Sequence, residues 1–218
     1  MKNSIKDYRK AELKYYVIGN ILVILLISND SFDIDKLKNI LYIINIILKT
    51  TIFLSLIYVY TYILDSSISA IWKDKLIYFY RGRPGDTIFT KIQNNNVDFR
   101  FTPDVVKEKY SNIYKELEKN KKLQNSCWYE IYKKHENKES IYTAHRDFLL
   151  NRDMCTMTLV ITILYVVFIF LWDVQYFSWK VLMFFGIEFL ITNIAARNKA
   201  WRFAYNVIAM DIHENKTK

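Results

Sequence analysis

Residues 154–172 read MCTMTLVITILYVVFIFLW, an uncharged stretch of 19 residues between Asp153 and Asp173. A helix that crosses the hydrocarbon core of a bilayer needs about 20 predominantly apolar residues. This stretch meets that length without its flanks. It therefore predicts a transmembrane helix, and the rest of the chain is interpreted outward from it.

Three further stretches have the same apolar character. Residues 15–29 carry no charge, residues 40–64 carry only Lys49, and residues 181–196 carry only Glu188. The fold class expected is an all-α membrane protein with four transmembrane helices. The alternative is a soluble all-α domain with buried helices, which we disfavour because nothing else in the chain would cover so much apolar surface. The predicted spans are 13–29, 40–64, 154–172 and 179–196.

Lysine and arginine are concentrated on one side of these spans. Of the 31 basic residues, 27 lie in the segments 1–14, 65–153 and 197–218, whereas the loops 30–39 and 173–180 together hold three. Cytoplasmic segments of membrane proteins carry the excess of Lys and Arg. We therefore expect a multi-pass protein with both termini and the long middle segment in the cytoplasm.

The predicted domain organisation follows from these boundaries. Residues 1–64 form an N-terminal cytoplasmic segment and the first two membrane helices, and residues 65–153 form a helical cytoplasmic domain inserted between helices two and three. Residues 154–196 form the last two membrane helices, and residues 197–218 form a cytoplasmic tail.

Several local patterns predict helix boundaries within the middle segment. Apolar residues at helical spacing over 65–80 predict that the second membrane helix continues into the cytoplasm until the turn at residues 81–86. Thr102-Pro103-Asp104 has the cap, proline and acid of a helix start. Further helices are predicted over about 122–136 and from near Ser140 unbroken into the membrane at Met154.

Composition and cysteine usage exclude several classes of protein. With 4 Gly, 2 Cys and 52% hydrophobic residues, the chain is not collagen-like, a disulfide scaffold or disordered. Cys127 is expected in the reducing cytosol, so no disulfide is predicted. The sequence has no CxxC or HxxxH motif, so we predict no structural metal, and nothing in it implies a cofactor.

No complete enzymatic motif is present in the sequence. His145-Arg146-Asp147 is similar to a kinase catalytic loop, but Asn151 follows Asp147 by four residues instead of five, and the glycine-rich loop and Asp-Phe-Gly are missing. We predict that the protein is not an enzyme. A membrane enzyme, as the alternative, would have to use His145, Asp147 and Asp153.

Two basic motifs are candidates for anion binding. In residues 81–87, RGRPGDT, glycines allow backbone N–H groups to approach an anion, and two Arg side chains suit phosphate; contact with lipid head groups is the alternative. Residues 197–205, RNKAWRFAY, combine Arg with rings that can stack on nucleobases, or else anchor the helix at the membrane interface. The predicted ligand-binding residues are Arg81, Arg83, Lys91, Arg100, Arg146, Arg152, Arg197 and Arg202.

Glu188 is the candidate pore residue. An ionisable side chain within a membrane helix faces the bundle or a wet cavity and points to function; a packed, protonated Glu188 is the alternative. Lys49 is the charge partner considered for it, although Lys49 can also snorkel outward. Asn193 completes the predicted pore set, and Asn20, Thr61 or Asn193 is expected to hydrogen-bond to Glu188.

The features above occur in a particular order along the chain. Two membrane helices precede a basic helical domain that opens with the turn at residues 81–86 and contains the stretch HRDFLLNR at residues 145–152; two more helices and a basic tail follow. This layout resembles that of small four-helix membrane effectors of bacterial anti-phage defence, namely CBASS four-transmembrane effectors and the HalA-type channel of Hailong systems.

The resemblance implies a homo-oligomeric channel in the bacterial inner membrane that depolarises the cell. It also implies control by a cyclic nucleotide or short oligonucleotide, made by a nucleotidyltransferase and bound by the cytoplasmic domain. In this interpretation helices two and four line the pore. The alternatives are a small transporter, although no inverted repeat is present, and a membrane scaffold or adaptor that conducts nothing.

Overall fold

The computed structural model describes residues 5–28, 51, 55–56, 58–79, 81–95, 97–115, 121–172 and 177–214. Within these ranges the protein is helical and has no strand, which confirms the all-α class. The helices are α1 Ile5–Ser28, α2 58–67, α3 Ala70–Tyr78, α4 Pro84–Asn94, α5 Pro103–Lys109, α6 Ser111–Tyr114, α7 Lys121–His135, α8 Glu139–Trp172 and α9 Trp179–Glu214.

The helix starts follow the local sequence. α5 begins at Pro103 with Thr102 in extended conformation at its N-cap, as predicted. Gly82 has a φ of 76°, a conformation that glycine adopts without a Cβ penalty, and α4 begins two residues later at Pro84. α7 and the unbroken α8 confirm the helices predicted over 122–136 and from Ser140 through Met154.

The continuous helix predicted over 65–80 is wrong at Ile68 and Ser69. The backbone N–H of Ile68 bonds to the Asp65 carbonyl three residues back, which closes the end of α2. The Ser69 hydroxyl then accepts a bond from the Trp72 N–H and caps the start of α3. A serine that bonds to nearby backbone competes with helix continuation, which apolar spacing alone does not report.

The chain divides into two compact units. Unit 1 comprises Met1–Lys73 and Arg152–Asn193, and unit 2 comprises Asp74–Asn151 and Ile194–Lys218. α8 and α9 each contribute residues to both units.

Unit 1 buries one face of its helices and exposes apolar side chains on the other. Its core includes Val17 and Ile21 of α1, Ile161 of α8 and Phe185 of α9. Thr158 and Thr162 donate their hydroxyls to carbonyls four residues earlier in α8, so these polar groups are satisfied within their own helix. The exposed large apolar side chains include Ile163, Val167, Phe170 and Leu171 of α8 and Met183, Ile187, Leu190 and Ile191 of α9.

Unit 2 is built around the C-terminal half of α9. Phe203, Val207 and Ile208 are buried in a core that also takes Phe89 of α4 and Ile141 of α8. The sequence suggested an interfacial or nucleotide-contacting role for residues 197–205, yet Phe203, Ala204 and Tyr205 pack in this core. The remaining buried members of the core are Ile88, Ile92, Phe101, Val106, Ile131, Ala209 and Ile212.

Two of the described helices, α8 and α9, are long and apolar enough to cross a membrane. They carry the predicted spans 154–172 and 179–196. The predicted span 13–29 coincides with α1 as far as Ser28, and residue 29 lies outside the described residues. Most of the predicted span 40–64, the loop 30–39 and Lys49 also lie outside them.

Candidate ligand-binding site

Unit 2 contains a shallow cavity of about 460 Å³ in which three of the predicted ligand-binding residues meet. Lys91, Arg100 and Arg202 contribute its positive charge. Its volume is within the roughly 300–1,000 Å³ typical of small-ligand sites. The other lining residues are Val97, Asp98, Phe99, Asn198, Trp201 and Tyr205.

Helical spacing explains why α9 supplies so much of this cavity. Asn198, Trp201, Arg202 and Tyr205 are three, four and seven positions apart, so they share one face of the helix. Lys91 approaches from the last turn of α4, and the segment after α4 supplies residues 97–100. Phe99 of that segment is fully exposed at the cavity edge.

Lys91 lies over the indole of Trp201. Its Nζ is 3.7 Å from the ring centroid, within the range of a cation–π contact. Burial lowers the pKa of Lys91 from its ordinary value, because the ammonium loses part of its hydration. No carboxylate pairs with Lys91 among the described residues, so an anionic ligand would restore the interactions that burial removed.

The other two cations differ in how far they are already neutralised. Arg100 forms a bidentate pair with Asp98, with Nε 2.9 Å from Oδ1 and 3.1 Å from Oδ2. Arg202 is exposed and makes no ion pair within the described part of the chain. Lys91 and Arg202 therefore give the cavity a net charge of about +2 once Arg100 and Asp98 cancel.

Tyr205 lines the cavity and is largely buried. Tyr205 is 5% exposed, and its ring stacks on Phe101 with centroids 6.4 Å apart. Its hydroxyl oxygen is buried and has no hydrogen-bond partner in the residues that the structure describes. Because this oxygen is closed off from solvent, the ring of Tyr205, and not its hydroxyl, borders the cavity.

The arrangement suits a ligand that combines a phosphate with a planar ring. Lysine and arginine bind phosphate oxygens through charge-assisted hydrogen bonds. Exposed aromatic rings such as Phe99 and the rim of Trp201 offer stacking surface to a nucleobase. Asn198 adds a neutral hydrogen-bonding group that can orient such a ligand.

The structure places the other predicted ligand-binding residues elsewhere. Arg83 pairs with Asp74 at 3.1 Å and lines a second cavity of about 380 Å³, whose wall is aromatic. Arg197 donates to the Ile77 carbonyl at 2.7 Å.

Three more predicted residues are away from both cavities. Arg146 pairs with Asp147 at 2.9 Å. Arg152 belongs to unit 1, where it donates to Asp153 at 3.3 Å. Arg81 is exposed and lines neither cavity.

His145, which the alternative of a membrane enzyme would use, stacks on Phe203 with ring centroids 4.9 Å apart.

The candidate motif 197–205 contains Asn198 and Tyr205, although neither was among the predicted ligand-binding residues, and Phe99 was not predicted at all. The 3.6-residue period of α9 groups Asn198 with Trp201 and Tyr205, so that part could have been found. The contact between Lys91 and Trp201 joins residues far apart in sequence, and no spacing rule relates them.

In unit 1, Glu188 bonds to Asn20. The Asn20 Nδ2 donates to Glu188 Oε1 at 3.0 Å, which agrees with the expectation that Asn20, Thr61 or Asn193 would do so. Asn193 instead lies 3.8 Å from the Cys155 sulfur. The predicted partner Lys49 lies outside the described residues.

Unit 1 also holds a buried ion cluster that the sequence did not reveal. The Lys73 ammonium lies 2.6 Å from Asp65 and 3.4 Å from Asp153. All three residues are buried. Among the described residues, no group of three or more His, Cys, Asp or Glu is arranged to hold a metal ion.

No protein-family model, curated protein or solved structure matches the chain. Its function is therefore inferred from the chemistry of the cavity in unit 2 and of the polar residues in unit 1.

Proposed function

We propose that the protein is an oligomeric membrane channel whose unit 2 binds a nucleotide or short oligonucleotide that controls conduction. The observation that carries the proposal is the cavity lined by Lys91, Arg100 and Arg202, in which the Lys91 ammonium lies over the Trp201 ring. A cavity with this charge and these rings is suited to a phosphate joined to a base.

The exposure of α8 and α9 supports a membrane location. Only 44% of the most apolar window of α8 and 28% of that of α9 are buried. The core helix of a soluble protein buries most of such a window, because water excludes its apolar side chains. Lipid or neighbouring copies of the chain would cover the exposed remainder.

One helix carries both parts of the proposed mechanism. α9 runs unbroken from Trp179 to Glu214 and contains Glu188 in unit 1 as well as Trp201 and Arg202 in unit 2. A ligand that binds one conformation of this helix more tightly shifts the population of that conformation. A change in the conformation of α9 would alter the surroundings of Glu188. Asn193 and Lys49 are the other predicted pore residues.

The order of segments along the sequence also underlies the biological role that we propose for the channel. It points to a four-span effector of bacterial anti-phage defence in the inner membrane, with both termini in the cytoplasm. The signal would come from a nucleotidyltransferase, and conduction would depolarise the cell.

Equilibrium binding to the purified full-length protein tests the ligand part of the proposal. The probes are AMP, a cyclic dinucleotide and a linear tetraadenylate, titrated at low and at physiological salt. We expect one of them to bind and to bind less tightly at high salt, because phosphate contacts are electrostatic. Lys91→Gln and Arg202→Gln should each weaken binding about tenfold.

Lys107→Gln is the matched control, because Lys107 is an exposed lysine of α5 that does not line the cavity. It should leave the affinity unchanged. Absence of binding for all three probes, or equal binding by wild type and both cavity variants, would contradict the proposed site.

A further inference from the structure

Asn20 and Glu188 form a polar pair inside unit 1. Asn20 is 4% exposed, and its Nδ2 donates to Glu188 Oε1 at 3.0 Å and to the Tyr16 carbonyl at 3.1 Å. Both amide hydrogens are used. The orientation of the amide is therefore determined, since a flipped amide would place its oxygen against two acceptors.

Two acceptor oxygens of this pair are left over. Asn20 Oδ1 and Glu188 Oε2 are both buried, and neither has a hydrogen-bond partner in the part of the chain that the structure describes. An unpaired acceptor in apolar surroundings is costly, and a carboxylate oxygen more so than an amide oxygen. The two atoms belong to side chains already joined by one hydrogen bond, so a single bound species can serve both.

We propose that Asn20 Oδ1 and Glu188 Oε2 bind a monovalent cation, Na⁺ or K⁺. One carboxylate supplies one negative charge, so an ion of charge +1 makes the site neutral in a low-dielectric environment. Carbonyl and carboxylate oxygens are hard ligands, which suit such an ion and not a thiolate-seeking metal.

The residues of the site favour a monovalent cation over a divalent one. Calcium sites use six to eight oxygens and commonly several carboxylates, whereas this pair contains a single carboxylate, that of Glu188. The Tyr16 hydroxyl, which is 2.6 Å from the Thr158 hydroxyl, is a further polar group of α1 one turn before Asn20.

The cation site adds detail to the proposed function. Its role in conduction rests on that proposed function. The polar pair is then a site that a permeating Na⁺ or K⁺ occupies, with Glu188 supplying the charge that selects cations over anions. A proton shared by Asn20 and Glu188 is the competing way to satisfy both oxygens. It predicts no dependence on the alkali cation.

Thermal unfolding of the full-length protein in lipid nanodiscs tests the cation site without measuring current. Melting is followed in NaCl, KCl and choline chloride at equal ionic strength. A ligand that binds only the folded state raises the midpoint with its concentration. We expect Na⁺ or K⁺ to raise it by roughly 5 °C over choline once the site is saturated.

Variants assign that shift to the pair. Glu188→Gln and Asn20→Leu should abolish the difference between the alkali salts and choline. Thr162→Val should retain it, because the Thr162 hydroxyl donates to a carbonyl of its own helix at 2.7 Å. Equal midpoints for the wild type in all three salts would overturn the proposal.

The two proposals fail in distinguishable ways. A cation-dependent midpoint in a protein that carries no current would keep the cation site and reject the channel. A current with a midpoint indifferent to the cation would keep the channel and reject the site.

Discussion

Asp211 carries its charge in a nearly closed environment, at 4% exposure near the end of α9. Burial by itself would raise the pKa of this carboxyl. Hydrogen bonds from His135, Lys109, Tyr110 and Lys134 outweigh burial and lower the pKa well below its ordinary value. The donors come from α5, from the residue after it and from α7, so one side chain joins three parts of unit 2.

The first prediction is that Asp211→Asn destabilises the protein by about 2–4 kcal/mol, because buried His135 and the partly buried Lys109 and Tyr110 lose their charged acceptor. Since the folded-state pKa is lowered, the contribution of Asp211 is complete above the unfolded-state pKa of about 4 and is lost as the pH falls below it. Unfolding of wild type and variant at pH 3 to 7 should show a difference that shrinks toward acid pH. Exposed Asp104→Asn is the control, and an equal loss there would contradict the role of Asp211.

Gly85 is the second instructive residue. A Cβ at this position would lie 2.5 Å from the Asn125 Oδ1 and 3.2 Å from the Trp128 ring. A side chain at this position would therefore force the Asn125 or Trp128 side chain of α7 to shift.

Gly85→Ala should cost about 1–3 kcal/mol, because the new methyl group overpacks this contact. Gly186→Ala, where a Cβ meets nothing within 4 Å, should be neutral or slightly stabilising. Thermal midpoints of the two variants make the comparison. A Gly85→Ala protein as stable as Gly186→Ala would contradict this packing argument, because the Asn125 and Trp128 side chains would then make room at no cost.

For single residues, the sequence predicted which basic side chains line the cavity better than it predicted what those side chains contact. It singled out Lys91, Arg100 and Arg202 as basic residues in a cytoplasmic domain, and the structure brings these three into one cavity. It did not indicate that Lys91 would lie on Trp201, because that contact depends on how α4 packs against α9. Arg197 was equally basic in the sequence, yet it bonds to a backbone carbonyl.

Among the elements, α2 and α3 show why apolar spacing gives incomplete boundaries. The pattern continues across Ile68 and Ser69, while the backbone is redirected there by local serine bonds. Helix ends with explicit caps, such as Thr102-Pro103, were predictable because the capping residues are themselves in the sequence. α8 and α9 were predictable because long uncharged runs admit few other structures.

Lys73 of α3 has a position that the sequence could not have shown. It neutralises Asp65 of α2 and Asp153 of α8, all within unit 1. The third prediction is that Lys73→Met destabilises the protein by about 3–5 kcal/mol, because two buried carboxylates lose their shared cation. Arg152 remains beside Asp153 but does not replace Lys73 for Asp65.

Exposed Lys75→Met on the same helix is the matched control for Lys73→Met and should change stability by less than about 0.5 kcal/mol. Thermal unfolding in detergent at neutral pH measures both. Similar midpoints for the two variants would indicate that water reaches the cluster and screens its charges.

For the whole molecule, the distribution of charge gives a topology that can be checked. The rule that cytoplasmic segments are basic puts the loop at 173–180 outside and the middle segment inside. Exposed positions are available on both sides: Lys180 in the first turn of α9, at the end of the segment 173–180, and Arg81 in unit 2.

The fourth prediction concerns labelling by a membrane-impermeant maleimide in intact cells. In a Cys127→Ser/Cys155→Ala background, Lys180→Cys should react directly, whereas Arg81→Cys should react only after the membrane is permeabilised. Equal reaction of both positions in intact cells would contradict the topology. Recovery of the protein in the soluble fraction would contradict the membrane location itself.

The central claim is that a ligand in the unit 2 cavity controls conduction through unit 1, and the current across a planar lipid bilayer tests it most directly. Purified protein is studied before and after addition of a cyclic dinucleotide or a linear tetraadenylate. We predict that one of these changes the current of the wild type, that Lys91→Gln/Arg202→Gln loses the response, and that Glu188→Ala alters the conductance. A wild-type current indistinguishable from a protein-free bilayer under every ligand condition would contradict the claim.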